Sequence, residues 1–290
     1  MKKLNYILCI ITVVCTTACS DFLDVQPKTE IREDKMFENE SGFKEALIGC
    51  YMLMGDGTLY GKNLTVCLLD AMGGLYEMET SNSYYRASLH DYDLTEGTFS
   101  NVWLKQYNLI ANVNALLGMI EEKGEVVMHP TNYAIIKGEA LGLRAFLHFD
   151  LLRMFGWGDL KRRPENLDRL TIPYVLRYHK STTKQSTERE VLELIHADLN
   201  EAEKLLAYYD SYGPESKDES YELPNADGFY KNRRNHLNYY AVRALQARVY
   251  MWEGNYQEAL KCVDPLFTKD NVISWVNADA SINVEEKERD

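Results

Sequence analysis

The sequence predicts a mostly α fold in which helix pairs stack on one another and two long irregular loops interrupt them. Three observations carry that reading. Apolar residues recur at spacings of three and four along most of the chain, the period of one buried helix face. Glycine and tyrosine crowd residues 55–97 and 208–235 and break the rhythm. The run Gly254-Asn255-Tyr256-Gln257-Glu258-Ala259 sets a turn residue, an aromatic and a small residue where two helices would reverse and meet.

The chain opens with Lys2 and Lys3, then an apolar run from Leu4 to Val14 broken only by Asn5 and Thr12. That run is too short for a membrane span of ~20 residues and reads as a signal peptide over residues 1–18. Thr16-Thr17-Ala18-Cys19 places a thiol directly after a small-residue cleavage site. Cys19 is therefore the expected lipid-attachment residue, the acceptor of a diacylglyceryl thioether that holds the mature chain on a membrane. Cys15 is a poorer acceptor because the preceding Val14 is branched and bulky. Residues 19–40 read as a lipidated leader and extended tether, polar and closed by Pro27 over their first stretch.

The first helical face is Phe43, Ala46, Leu47, Cys50 and Leu53 or Met54. Residues 55–97 then form long loops, with a short helix around 66–72. A structureless stretch of that length is usually functional or disordered, and its tyrosines argue against disorder. The helical pattern returns over 99–122, where Val102, Trp103, Gln106, Leu109, Ile110 and Val113 form a stripe that puts Trp103 in the core. A helix over 131–155 carries Ile135, Ile136, Ala140, Leu143, Phe146, Leu147 and Leu151. It is apolar on most sides near its end, which places that end inside, and Gly156 and Gly158 stop it. Thr187-x-x-Glu190 is a capping box, and it opens a helix with Val191, Ile195, Leu199, Ala202 and Leu206 inward. After the second insertion, near 208–235, Leu237–Glu253 is helical again and places Trp252 in the core.

The G-x-Y-x-x-A link that follows is the turn of a tetratricopeptide-type helix pair. Gly254 permits the reversal, Tyr256 plugs the gap between the helices, and Ala259 lets the second helix approach. One pair cannot bury its own faces, so it must stack on the earlier helices. Residues 41–267 thus read as one helical domain. No polar capping element follows Leu266, so residues 268–290 are expected to be a poorly ordered tail of a truncated chain.

Composition narrows the function. Asp and Glu number 44 against 32 Lys and Arg, for a formal charge of −12. Nucleic acid is excluded as a partner, because phosphate binding needs clustered cations. Cys50, Cys67 and Cys262 are odd in number and scattered, which suits small buried hydrophobes rather than a disulfide framework. The six histidines are scattered too. There is no H-E-x-x-H, no cysteine cluster for zinc, no nucleophile elbow and no phosphate loop. No catalytic residue, metal ligand or cofactor is expected, and the chain does not read as an enzyme. Glu77 and Glu79 could flank a glycosidic bond, but such pairs are commonplace in an acidic chain. Arg144 and His148, one turn apart, read as packed or hydrogen-bonded within the helical body. Arg144, Asp150 and Arg153 read as a buried ion network fixing their helix.

The twenty tyrosines stand out. Tyrosine couples a flat apolar face to a polar tip, which suits sugar or peptide binding and also suits helical cores. The stretch from Tyr76 to Arg86 sets aromatics beside amide, carboxylate and guanidinium groups. Tyr76, Glu77, Asn82, Tyr84, Tyr85 and Arg86 are the candidate ligand-binding residues. The competing reading is that these tyrosines only pack their loops.

Several blocks in order resemble the SusD/RagB family of surface nutrient-binding lipoproteins. They are the leader Cys19 to Pro27, the helix with Trp103, Tyr107, Ile110 and Asn114, the segment Gly138 to Gly156, the block Thr187 to Leu206, and Ala244 to Ala259. The resemblance implies a tetratricopeptide-like helical body whose irregular loops bind oligosaccharide or another nutrient. It implies a SusC-like TonB-dependent transporter as partner and the cell outer membrane as location, with the protein lipid-anchored and surface-exposed. It also places Tyr76–Arg86 at the family segment that supplies an aromatic platform. Family members are much longer, and Glu285–Asp290 resembles a mid-chain region of theirs. The alternative is an interaction module that binds peptide or protein and no glycan.

Overall fold

A computed structural model describes residues 33–210, 213, 228–230 and 233–268. Cys19, most of the leader and tether, most of the second insertion and the tail beyond Thr268 lie outside these residues. A first unit, to Glu38, contributes helix α1 (Glu33–Met36). The second, from Asn39, holds α2 (Glu40–Met54), α3 (Leu68–Met72), α4 (Tyr85–Ser88), α5 (Tyr92–Met119), α6 (Glu125–Val127), α7 (Pro130–Phe155), α8 (Glu188–Tyr209), α9 (Tyr239–Glu253) and α10 (Tyr256–Thr268). The fold is mostly helical, with no strand among the described residues.

Local chemistry sets the helix ends. Asn39 caps α2 by accepting from the Gly42 amide at 3.3 Å. Pro130 opens α7 at a position where a missing N–H costs nothing, and the His129 side chain accepts from Thr131 N. Thr187 and Glu190 form the reciprocal capping box of α8. Helix α5 starts at Tyr92, ahead of Phe99, so the first irregular region is shorter than its glycine content suggests.

Helix α7 is the centre of the second unit, packed against α2, α5, α8 and α9. It is buried on nearly every side from Ile135 to Leu152. Gly138 lets α8 come close, since a Cβ there would stand 2.9 Å from Leu206 Cγ. The α9–α10 pair closes through Gly254, whose φ of 76° lies in the left-handed region. Tyr256 does not plug this pair. It is half exposed, with the Lys161 ammonium 4.5 Å above its ring. Tyr250, Ala247, Ala259, Cys262 and Val263 fill the gap instead.

Buried polar residues on α7 are tied on two flanks. On one, Arg144 Nε and Nη2 donate to the two Asp198 carboxylate oxygens of α8, both at 2.7 Å. Its Nη1 donates to Asn114 Oδ1 of α5 at 3.1 Å and to the Leu176 carbonyl at 2.9 Å. On the other flank, Glu139 accepts from Arg233 at 2.7 Å, from His236 at 2.7 Å and from the Tyr51 hydroxyl. Asp150 is not part of the Arg144 cluster, which corrects the single network that sequence suggests. At 3.6 residues per turn the two side chains leave different sides of α7. Asp150 pairs instead with Arg153 and, from α9, Arg248.

The same side chains hold an extended segment that follows Gly156. Tyr107 donates to the Pro173 carbonyl at 2.8 Å, and Asn114 Nδ2 to the Val175 carbonyl at 2.7 Å. The Tyr174 hydroxyl donates to Asp198 at 2.6 Å. The Val175 amide donates to His148 Nε2 at 3.0 Å, which makes that nitrogen an acceptor and puts the ring proton on Nδ1, 2.8 Å from the Arg144 carbonyl. Burial pushes His148 down to about 3, with the nearby Arg144 charge acting in the same direction.

Two expectations follow. Arg144→Met leaves Asp198 buried without its cation, so a urea melt should show a loss of ~3–5 kcal/mol. Adding Asp198→Leu should recover part of that loss; a double variant as weak as the sum of the two singles would contradict the coupling.

The pH dependence has a definite sign. The unfolded chain protonates His148 near its ordinary value of 6.5 while the folded chain resists to about 3, so stability falls as pH drops through that window. Burial alone would raise the Glu139 carboxyl, but Arg233, His236 and Tyr51 hold it at about 2 against an ordinary 4.5, which adds a further loss below pH 4.5. Urea melts of the parent and His148→Gln at pH 7, 5.5 and 4.5 should show a flatter profile for the variant in the upper part of this range.

Candidate functional site

The first irregular region is pinned to the helical body at Tyr60. Its hydroxyl donates to Asp150 Oδ2 at 2.9 Å and accepts from Gln106 Nε2 at 3.0 Å, and its ring lies 5.1 Å from that of Phe146. Burial, then the Asp150 charge, pushes this hydroxyl well above the ordinary tyrosine value, so it stays protonated as a donor. The anchored region lines two clefts, one through Leu69 and Met72 of α3 and one through the loop that runs from Tyr76 to Tyr84.

The smaller cleft, about 440 Å³, gathers four of the six sequence candidates: Tyr76, Glu77, Asn82 and Tyr84, together with Val66 and Met78. Tyr76 is half exposed, with its hydroxyl 3.4 Å from Asp70. Asn82 Oδ1 accepts from the Tyr84 amide at 2.9 Å and so fixes the turn. Its amide nitrogen keeps its donors. Tyr84 is partly committed to packing, since its hydroxyl donates to Asn63 at 2.7 Å and the Lys62 ammonium lies 5.4 Å over its ring. Tyr85 and Arg86 do not line this cleft. Tyr85 begins α4, and Arg86 pairs at 3.6 Å with Asp91.

The larger cleft, about 840 Å³, is walled by aromatics from three helices: Tyr92, Phe99 and Trp103 of α5, Phe155 of α7 and Trp252 of α9, with Leu69 and Met72 of α3 also lining it. Asp150 and Arg153 supply its polar edge. Trp103 stands edge-on to Phe155 at 5.0 Å, and Tyr92 lies 5.6 Å from Phe99. Trp252 is held by its indole N–H, which donates to Glu188 Oε1 at 3.3 Å. The two tryptophans are thus half-buried cleft walls rather than core residues. Trp103 sits about 100° around α5 from the fully buried Val102, on the flank of the apolar stripe. The spacing Tyr92, Phe99, Trp103 on one side of α5 is the sequence signal that marks this second aromatic face.

The larger cleft lies within the size range of ligand sites, and its mix of flat apolar walls with a few polar groups is typical of them. Aromatic faces can stack on the C–H faces of sugar rings while carboxylate and guanidinium groups bind hydroxyls. Among the described residues no group of three or more His, Cys, Asp or Glu is placed to hold a metal ion. No described helix is long and apolar enough to cross a membrane.

A model of a SusD-like family, described as starch-binding associating with outer membrane, matches residues 21–217. The SusD-like protein P25 of Formosa agariphila is 21% identical over 274 residues, which cover 91% of this chain and 46% of that protein. The crystal structure of a SusD superfamily protein from Bacteroides thetaiotaomicron superposes with a TM-score of 0.61 at 20% identity, over 84% of this chain and 49% of the other. A SusD-like carbohydrate binding protein from Bacteroides vulgatus gives a TM-score of 0.63 at 19% identity, over 84% and 47%. The chain spans about half the length of these relatives.

Proposed function

We propose that this chain, which belongs to the SusD-like family, binds oligosaccharide at the cell surface and delivers it to a SusC-like TonB-dependent transporter of the outer membrane. It acts by binding and not by catalysis. The observation that carries the reading is the aromatic-walled cleft of Trp103, Phe155 and Trp252. The family description and the carbohydrate-binding neighbour support glycan over other nutrients. Lipid at Cys19 holds the protein to the membrane in this account, and Tyr76, Glu77, Asn82 and Tyr84 form the loop side of the ligand surface, while Tyr85 and Arg86 stand outside it.

Each residue then has a role. Trp103 and Trp252 offer faces for sugar rings, and Arg153 offers guanidinium N–H donors to sugar hydroxyls at the cleft edge. Asn82 offers amide donors and Glu77 a carboxylate acceptor at the loop. The second reading, a peptide-binding module, places binding on the helical surface and leaves the loop tolerant to substitution.

Calorimetry against starch-type and other neutral glucans tests the proposal. Trp103→Ala and Trp252→Ala should each weaken binding about tenfold or more, as loss of a buried aromatic anchor does. Asn82→Ala should cost less, on the order of 1 kcal/mol for one hydrogen bond. Glycan binding unchanged in all three variants, or peptide binding in its place, would overturn it.

The anchor has its own test. Cys19→Ala should lose the lipid mass and move to the soluble fraction without detergent, and unchanged membrane retention would refute lipidation.

A further inference from the structure

We infer that the loop 176–185 is a membrane-contacting tip that seats on a lipid surface bearing phosphate headgroups. Between Asp168 and Glu188 the chain has no carboxylate, in a sequence where acids outnumber bases 44 to 32. Arg177, Lys180 and Lys184 lie in the exposed tip, and none of them forms an ion pair among the described residues. Leu176 and Tyr178 flank Arg177 and are 45% and 59% exposed.

The tip is presented by a built root. Thr171 N donates to the Ser186 carbonyl at 2.8 Å and Ser186 N to the Ile172 carbonyl at 3.2 Å, which ties the outgoing and returning chain into a neck. Above the neck, Arg144, Asn114 and His148 fix the backbone at Val175 and Leu176. The His179 ring reaches Ser181 Oγ at 2.9 Å and Thr183 Oγ1 at 3.3 Å and gathers the tip itself. A loop rooted in the buried core of an acidic chain thus displays cations and two apolar side chains together.

Lipid headgroups fit this combination. Tyrosine settles at the level of the headgroups and leucine enters beneath them, while lysine and arginine reach phosphate. The absence of carboxylates removes the repulsion that the rest of this chain would meet there. Free phosphate or an acidic glycan would use the cations but leave Leu176 and Tyr178 in water. Stable membrane attachment takes two signals, such as one lipid group plus a cationic patch. This inference rests on the reading that the protein works at a membrane, but not on the anchor, which the test removes.

The experiment is co-sedimentation of the full chain carrying Cys19→Ser with vesicles of phosphatidylcholine alone or mixed with phosphatidylglycerol. The leader is common to all variants and cancels in their comparison. Phosphatidylglycerol should raise the bound fraction, and added salt should abolish the increment. Arg177→Gln, Lys180→Gln and Lys184→Gln combined should weaken partitioning on the order of a hundredfold, while Lys180→Arg with Lys184→Arg should keep it. Tyr178→Ala should lower binding at every salt concentration. An unchanged melting temperature in each variant keeps folding out of the comparison. Binding indifferent to phosphatidylglycerol, or equal in the glutamine variant, would overturn the inference, as would an acidic protein partner that needs the cations while vesicles do not.

Discussion

A guanidinium buried at the centre of a helical body must have its donors satisfied, and Arg144 meets that demand by holding three parts of the chain together. It pairs with Asp198 of α8, touches Asn114 of α5, and donates to the backbone at Leu176. The net stabilisation from such a pair is small, because burial of the two charges costs about what their attraction returns. Its consequence is geometric. Any arrangement that moved α8 or the extended segment away would leave a charge unpaired in the core, so competing arrangements are penalised heavily. Glu139 does the same on the other flank with Arg233, His236 and Tyr51.

The clefts depend on these constraints. Phe155 reaches the larger cleft from the end of α7, and Trp252 reaches it from α9, oriented by Glu188 at the start of α8. Tyr60 brings the first irregular region down onto Asp150 of α7, which sets α3 against the aromatics of α5. Five aromatic residues distant in sequence thus come to one opening because the helices that carry them are fixed from within. The extended segment after Gly156 obeys the same logic. It has no ladder of its own beyond one bridge, and its backbone groups are satisfied by side chains from α5 and α7.

Much of this was legible in the sequence. Spacings of three and four mark the buried faces of α2, α5 and α8, and Thr187 with Glu190 marks where α8 begins. Contacts between distant positions were not legible: nothing local to Arg144 says that its partner stands at Asp198 rather than Asp150. The stretch 157–186 carries no period, because its structure comes from partners elsewhere. Trp103 and Trp252 show why the larger cleft escaped notice. A tryptophan on the flank of an apolar stripe has the same spacing whether neighbours cover it or a cleft opens beside it. In the loop, composition pointed to Tyr76–Arg86, and the structure gathers Tyr76, Glu77, Asn82 and Tyr84 while Tyr85 and Arg86 turn to α4 and Asp91. Tyr84 is the instructive case, because its hydroxyl is already spent on Asn63.

The central claim is that buried polar side chains of α5, α7 and α8 hold the extended segment in place. Amide hydrogen exchange at Val175 tests it most directly, since that N–H is donated to His148 Nε2 and to no backbone carbonyl. The account predicts that Val175 exchanges as slowly as the interior amides of α7, and that Arg144→Met speeds it far more than it speeds those amides. A Val175 amide that exchanges at the rate of an open loop in the parent chain would contradict it.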